Sequence, residues 1–338
     1  MKPRITPSGR HATGGAPHAR ISGVGGYRPH RLVGNAEVCE RIDSSDAWIR
    51  ERTGIVTRGW AGPQETLTEM GTAAAGKALA AAGITADALD CVIVATFTHL
   101  WQTPAAATAI AHRLGAHAAA AFDLSAGCAG FVHALSLAAD TVRARGGHVL
   151  VIGAERMTDL LDVEDRATAM IFGDGAGAVV VSPSATQAIG PVVWGADGGQ
   201  WDAVTQTAPW DALRADPGLR WPALTQKGPQ VFRWAVYEVS KAAQEAVTAA
   251  GLTPRDLDAF IPHQANVRII DGMAKRLGLT DDTVIARDIV TTGNTSGASV
   301  PLAMEAVMAT EDVGSGDLAL LVGFGAGLSY AATVVALP

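Results

Sequence analysis

The chain has 338 residues, 48% hydrophobic and 17% charged, so it can bury a large core and is not intrinsically disordered. A formal net charge of −7 argues against a general binder of nucleic acid or of anionic membranes. Three cysteines are too few for a disulfide framework and predict a reducing, cytoplasmic location. Because no uninterrupted apolar run reaches the length of a membrane span, we expect no membrane segment.

Residues 1–20 are rich in Gly, Pro, His and Arg and predict a flexible tail outside the fold. Beyond them, helical patterns alternate with segments that are apolar on both faces, which is typical of sheets covered by helices on both sides. The predicted strands are residues 91–95, 118–124, 149–152, 178–181, 259–262 and 318–322. The predicted helices are residues 68–82, 105–114, 130–145, 231–250, 267–277 and 300–308. Residues 194–228 are too long for a plain connection and predict a substrate-facing insertion.

An internal duplication organises these elements. Residues 81–90 and 249–258 are identical at six of ten positions, at an offset of 168 residues. The same offset pairs Cys128 with Ser296, and both positions precede helical patterns. Two related halves, residues 21–186 and 187–338, predict an α/β fold in which stacked sheets and helices form a layered αβαβα sandwich.

Cys128 stands where the predicted strand 118–124 passes into the helix 130–145. A thiol at the positive end of a helix dipole is expected to have a lowered pKa, and the flanking glycines allow a substrate to approach. These features predict a nucleophile. A small buried cysteine that packs against the helix start is the alternative interpretation.

His263 and Asn294 occupy two further turns that lead into helices. A thiol beside a histidine is an activated nucleophile. His and Asn together could also donate hydrogen bonds to one carbonyl oxygen and stabilise an enolate. Taken singly, either residue could instead cap a helix or satisfy a buried backbone group.

Three segments carry a family resemblance, namely SAGCAGF (125–131), PHQANVRI (262–269) and GNTSGAS (293–299). Together with further matches from about residue 19 to residue 338, they resemble β-ketoacyl-acyl carrier protein synthase III, most closely the Actinobacteria-type members. The resemblance implies a thiolase fold. It also implies a decarboxylative Claisen condensation of an acyl-CoA primer with malonyl-acyl carrier protein, which initiates type II fatty acid synthesis without a metal or other cofactor.

The resemblance also implies a role for each matching residue. Cys128 would take the acyl group, while His263 and Asn294 would hold the malonyl thioester. The backbone amides of Cys128 and Ala326 would form an oxyanion hole, and Phe324 would lie near the malonyl carboxylate.

Substrate contacts follow from the same resemblance. The residues implied to bind CoA are Trp48, Arg52, Thr53, Arg166 and Asn266. Those implied to dock an acidic carrier protein are Arg233, Gln264 and Arg268. Thr103 would line the acyl pocket of the partner subunit in a homodimer, and its small side chain predicts primers larger than acetyl.

Several other functions share part of this pattern. A condensing enzyme that primes a polyketide pathway would use the same residues. A biosynthetic thiolase needs a second cysteine near the C-terminus, and no cysteine follows Cys128. A plant-type polyketide synthase uses free malonyl-CoA. The basic residues near Arg268 argue against this alternative, because they suit an acidic carrier protein. A non-catalytic partner of a condensing enzyme and a cysteine hydrolase are the remaining alternatives.

Overall fold

The computed structural model describes residues 14–310 and 312–338. Residues 1–13 of the predicted tail lie outside the described residues. Over residues 18–20 the tail prediction is wrong, because strand β1 begins at His18 and pairs with a neighbouring strand along residues 18–27. Ala19 and Ile21 alternate with more exposed neighbours and are buried, so β1 contributes to the core.

Five strands form the first sheet, in the spatial order β1, β7, β6, β4 and β5. They are β1 (His18–Tyr27), β4 (Leu89–Ala95), β5 (Ala120–Leu124), β6 (His148–Glu155) and β7 (Gly175–Ser184). Strands β5, β4 and β6 run parallel, whereas β7 is antiparallel to both β6 and β1. Strand β5 forms one edge of this sheet.

The second sheet repeats this order as β8, β14, β13, β11 and β12. Its strands are β8 (Val193–Ala196), β11 (Ala259–Pro262), β12 (Val284–Ile285), β13 (Leu318–Gly325) and β14 (Ser329–Ala336). Here β12, β11 and β13 are parallel, and β14 is antiparallel to its two neighbours. The repeated order and directions confirm the predicted duplication.

Helices separate and cover the two sheets. Helices α5 (Gly130–Arg145) and α11 (Ser299–Met308) share one hydrophobic cluster with strands of both sheets, so they form the central layer. Helices α3 (Leu67–Ala82) and α4 (Ala106–Leu114) pack on the outer face of the first sheet. Helices α8 (Ser240–Ala249) and α9 (Val267–Leu277) cover the second sheet. The layers confirm the predicted αβαβα sandwich.

The helix predicted over residues 231–250 is divided into three parts. It consists of α7 (Gly228–Trp234), a π-helical turn (Ala235–Val239) and α8. The remaining elements are β2 (Leu32–Gly34), β3 (Thr57–Gly59), β9 (Val204–Gln206), β10 (Leu224–Gln226), α1 (Asn35–Cys39), α2 (Asp46–Thr53), α6 (Ala212–Ala215) and α10 (Ile289–Thr292). Among the described residues, no helix is both long and apolar enough to cross a membrane.

The turns that precede α5 and α11 align differently from the sequence prediction. Each is a three-residue 3₁₀ turn, Gly127–Ala129 in the first half and Ser296–Ala298 in the second. Both turns begin on a residue with left-handed φ, 53° at Gly127 and 50° at Ser296. Ser296 therefore corresponds to Gly127, and the predicted equivalence of Ser296 with Cys128 is wrong by one residue.

Candidate active site

One cavity of about 670 Å³ brings the three predicted reactive residues together, because its lining includes Cys128, His263 and Asn294. Cys128 lies in the turn before α5, His263 directly follows β11, and Asn294 lies between α10 and α11. The walls include Val204 and Leu224 from β9 and β10, so the predicted insertion does face the cavity. The duplicated scaffold thus directs three loop residues from both halves into one space.

The Cys128 thiol does not have the lowered pKa expected of a helix start. The side chain stays partly accessible from the cavity. Burial among protein atoms and, to a smaller extent, the nearby Glu155 carboxyl nevertheless raise its pKa to about 12. Hydrogen bonds from the Ser296 hydroxyl and from the backbone N–H groups of Cys128 and Ala326 oppose this increase only in part. Near neutral pH the resting sulfur is therefore a thiol.

Two polar neighbours of the sulfur were missed by sequence reasoning. The Ser296 Oγ atom lies 3.3 Å from the Cys128 Sγ atom and 3.3 Å from Oε1 of Glu155. Glu155 is fully buried at the end of β6, and burial raises its pKa to about 7. A charged residue that ends an otherwise apolar strand was the signal in the sequence that could have indicated it.

His263 is a buried, neutral imidazole. Its Nδ1 atom lies 2.7 Å from the Ser299 Oγ atom, and its ring meets the Phe324 ring edge-on with centroids 5.1 Å apart. Burial lowers its pKa to about 3, although a hydrogen bond with the Ser296 backbone opposes the decrease. The ring is held in one orientation and is uncharged at neutral pH.

Backbone and side-chain contacts both hold Asn294 in place. Its Oδ1 atom accepts a hydrogen bond from the Ser296 N–H at 2.8 Å, which leaves the amide NH₂ as the group that can donate to a ligand. Its backbone N–H donates to the Ile171 carbonyl, and its backbone carbonyl accepts from the Gly173 N–H. Asn294 is not the N-cap residue of a helix, since that position before the Ser296–Ala298 turn belongs to Thr295.

The aromatic and basic residues predicted to bind CoA lie together. The Arg166 guanidinium is 4.2 Å from the Trp48 ring centroid, and the Arg52 guanidinium is 5.7 Å from it. Trp48 and Arg52 line the cavity with Asn266, whose Nδ2 atom donates to the Arg52 carbonyl at 3.1 Å. Thr53 is 1% exposed and its hydroxyl donates to the Ile49 carbonyl within α2, so a contact from Thr53 to CoA stays a prediction.

Two of the three residues predicted to dock a carrier protein are accessible. Arg233 and Arg268 are exposed and line the cavity, and the Arg268 guanidinium lies 5.9 Å from the Phe232 ring centroid. Gln264 is 1% exposed, and its amide donates to the backbone carbonyls of Pro262 and Ala286. The docking role predicted for Gln264 is therefore wrong, because its side chain braces the loop after β11.

Phe324 and Ala326 follow one another closely along the cavity wall. Phe324 is buried and apolar, as predicted for a residue beside a carboxylate that is to be lost. Thr103 is exposed and does not line the cavity of its own chain. Within the described part of the chain, no three His, Cys, Asp or Glu side chains cluster as a metal site requires.

The fold and the site together define a condensing enzyme of the thiolase fold. The family model described as 3-oxoacyl-[acyl-carrier-protein] synthase III matches residues 122–198. The model of the C-terminal part of the same family matches residues 247–337. The chain belongs to the β-ketoacyl-acyl carrier protein synthase III family, as the sequence resemblance predicted, and it is an acyltransferase.

Relatives along the whole chain support this assignment. The β-ketoacyl-[acyl-carrier-protein] synthase III 1 of Streptomyces coelicolor is 59% identical over 96% of this chain and 98% of its own length. The mycobacterial β-ketoacyl-[acyl-carrier-protein] synthase III of Mycobacterium avium is 53% identical over 97% of this chain and 98% of the relative. Both sources are Actinobacteria, which agrees with the predicted type.

Solved structures show the same fold. The priming β-ketosynthase of a polyketide biosynthetic pathway has a TM-score of 0.94 at 50% identity, covering 96% of this chain and 98% of that chain. The 3-oxoacyl-[acyl-carrier-protein] synthase III of Aquifex aeolicus has a TM-score of 0.86 at 36% identity, covering 94% of this chain and 99% of that chain. The thiolase fold is therefore confirmed.

Proposed function

We propose that the protein condenses an acyl-CoA primer with malonyl-acyl carrier protein to give 3-oxoacyl-acyl carrier protein and carbon dioxide, as the first condensation of type II fatty acid synthesis. The observation that carries this proposal is the convergence of Cys128, His263 and Asn294 on one cavity, with basic residues at its entrance. No step of the proposed chemistry requires a metal or a redox cofactor.

In the first half-reaction, the Cys128 sulfur attacks the thioester carbonyl of acyl-CoA and CoA leaves. The tetrahedral intermediate carries an oxyanion that needs hydrogen-bond donors. The N–H groups of Cys128 and Ala326 already reach the sulfur in the free protein, which supports their assignment as the oxyanion hole. The acyl group then stays on Cys128 as a thioester.

In the second half-reaction, His263 and Asn294 bind the carbonyl oxygen of the malonyl thioester. Two neutral donors stabilise an enolate better than the ground-state carbonyl, because negative charge develops on the oxygen as carbon dioxide leaves. The low pKa of His263 keeps the imidazole neutral, so it does not stabilise the malonyl carboxylate as an ion pair would. The apolar Phe324 ring beside it favours loss of that charge.

The cavity entrance supports the proposed substrates. The Trp48 ring with Arg166 and Arg52 around it offers stacking and cationic contacts to the nucleotide of CoA, and Asn266 lines the same cavity as Cys128. A planar base would have to separate Trp48 from Arg166, since the two now contact each other. Arg233 and Arg268 give an acidic carrier protein a complementary surface.

We also infer a homodimer and a reducing location. Strand β5 is an unprotected sheet edge on which Phe122 is 43% exposed, and Leu100 and Trp101 are 49% and 70% exposed in the loop before Thr103. A second copy that covers these residues would bring Thr103 to the partner's acyl pocket. The three cysteines are all unpaired, which supports a cytoplasmic enzyme.

Intact-mass analysis tests the proposed reaction. The protein is mixed with a panel of acyl-CoAs of increasing size and branching, and then with malonyl-acyl carrier protein. We expect an acyl adduct on Cys128 that persists until the malonyl partner is added, and no adduct on Cys128→Ala. His263→Ala and Asn294→Ala should acylate but fail to decarboxylate. Equal acylation of the Cys128→Ala protein would end the proposal.

The alternative of a priming enzyme for a polyketide pathway is favoured by one observation, the TM-score of 0.94 with a priming β-ketosynthase. The chemistry at Cys128 is identical in both functions, so the carrier protein distinguishes them. Preference for the carrier protein of the primary fatty acid system over polyketide carrier proteins supports the first function, and the reverse preference supports the second. Turnover of an acyl-CoA by water alone would instead indicate a hydrolase.

A further inference from the structure

The two oxygens of the Glu155 carboxyl have different surroundings. Oε2 accepts four hydrogen bonds, from the hydroxyls of Thr96 and Thr98 and from the N–H groups of Phe97 and Thr98, at 2.5–3.3 Å. Oε1 faces the Ser296 hydroxyl at 3.3 Å. The loop after β4 therefore holds one oxygen firmly, and the other points toward the reactive sulfur through one intervening side chain.

Ser296 is held where it can touch both groups. Its side chain is completely buried, and its Oγ atom is equidistant from the Cys128 sulfur and from Oε1 of Glu155. Among the described residues other than glycine, Ser296 alone has a positive φ. Such a backbone conformation costs on the order of 1 kcal/mol and is kept where surrounding structure imposes it, often at functional sites. The Asn294 side chain accepts from the Ser296 N–H and helps to impose it.

We propose that Ser296 passes the thiol proton of Cys128 to Glu155 while the sulfur attacks acyl-CoA, a role that rests on the proposed acyl transfer. The S–H bond of Cys128 breaks as the bond from sulfur to the acyl carbon forms. The single Ser296 hydroxyl proton can be donated either to the sulfur or to Oε1. In the relay it goes to Oε1 while the Ser296 oxygen takes the thiol proton, so Glu155 becomes a neutral carboxylic acid. CoA leaves as a thiolate and takes a proton from water. When the enolate later expels the Cys128 thiolate, the proton returns from Glu155 through Ser296.

The surroundings favour such an acceptor. Because the pKa of Cys128 is raised to about 12, only a minute fraction of the thiol ionises near neutral pH. Glu155, with a pKa of about 7, is largely ionised at slightly alkaline pH and can accept a proton during the attack. The titratable neighbours of this carboxyl are Cys128 and, through the Ser296 backbone, the neutral His263. Arg156, the next residue, pairs with Asp159 instead.

The competing interpretation is that Glu155 only anchors the loop at Thr96–Thr98. The variant Glu155→Gln separates the two roles. Its amide oxygen can still accept the loop hydrogen bonds at the Oε2 position, while its NH₂ group, which cannot accept a proton, faces Ser296. Ser296→Ala removes the relay from the other side and leaves the loop contacts untouched. A second buried carboxyl, Asp174, supplies a matched control because it accepts its hydrogen bonds from Ala61 and Thr158.

The experiment measures the rate of Cys128 acylation by quenched-flow intact mass from pH 6 to pH 10, for wild type, the two single variants and the double variant. At pH 7.5 we expect each single variant to acylate roughly 10²-fold more slowly than wild type. The double variant should be no slower than the slower single one, since both residues act in series. Wild-type acylation should level off above about pH 7, while that of Glu155→Gln should keep rising about tenfold per pH unit.

The outcomes separate the two proposals. If wild type is not acylated by any acyl-CoA of the panel, both the acyl transfer and the relay are wrong. If wild type is acylated and both single variants match it, or if their losses multiply in the double variant, only the relay is overturned. Asp174→Asn should keep the wild-type pH dependence, and a shift there as large as that of Glu155→Gln would also overturn the relay. Ser296→Ala carries the test if Glu155→Gln does not fold.

Discussion

A single methyl group beside the nucleophile should separate reactivity from folding. Gly325 ends β13 against the turn that holds Cys128, and a Cβ atom placed on it would lie 2.8 Å from the Cys128 Cβ atom and 3.0 Å from Sγ. Favourable contacts between such atoms begin at about 3.5 Å. In Gly325→Ala the sulfur must therefore move by roughly 0.5–1 Å, since the Gly325 backbone does not have a left-handed φ that would itself strain an alanine.

The expected magnitudes follow from this overlap. Overpacking of this kind costs about 1–3 kcal/mol of stability, which leaves a protein of this size folded. A displacement approaching 1 Å at a reacting atom costs on the order of 10²-fold in rate. We therefore expect a large loss of Cys128 acylation, measured by intact mass with saturating acyl-CoA, at a modest loss of stability, measured by urea unfolding.

Gly76→Ala is the matched control. Gly76 lies within α3, and no atom lies within 4 Å of a Cβ built there. Alanine at this helical position should stabilise the protein by roughly 0.5–1 kcal/mol and leave acylation at the wild-type rate. If Gly325→Ala acylated as fast as wild type, or lost activity only in proportion to unfolded protein, the described confinement of the sulfur would be refuted.

Three further predictions concern pH and substrate binding. Relative to His263→Gln, wild-type stability should rise from about pH 3 to pH 6.5 and then stay level, because only the unfolded chain binds the His263 proton in that window. Parallel urea-unfolding profiles for the two proteins would contradict this. Trp48→Ala should raise the KM for acyl-CoA about tenfold with little change in kcat, whereas Trp201→Ala, outside the cavity, should change neither. Arg268→Glu should weaken the binding of malonyl-acyl carrier protein and reduce the salt dependence of that binding. Lys241→Glu should do so less, because the Lys241 ammonium is already paired with Glu238. Equal effects of the two variants would contradict the docking assignment.

The accuracy of the sequence predictions varies along the chain for physical reasons. Apolar periodicity reports burial directly, so the predicted cores of β4, β6 and α5 coincide with the observed elements. Strand β1 was missed because its glycines and its arginine obscure the alternation, and only pairing with β7 makes it a strand. Glycines at 23 and 25 let this strand lie against α3, a reason that no local pattern shows.

At the site, the motifs did not predict which side chains are exposed to the cavity. Thr53 and Gln264 occupy the same short segments as residues that do line the cavity, yet both side chains point into the protein. Neighbouring positions on a turn differ in direction, and that direction depends on the elements packed around the turn. A motif therefore locates a functional loop more reliably than it assigns each of its side chains.

By itself, the sequence determined the duplicated α/β architecture and the three turns that carry Cys128, His263 and Asn294. Those features depend on local patterns and on repetition, which are readable along one chain. Tertiary structure alone decided the electrostatics, since a thiol pKa that a helix start was expected to lower is raised by burial and by Glu155. Glu155 and Cys128 meet through Ser296, which belongs to the other half. Their proximity arises only when the two halves fold together.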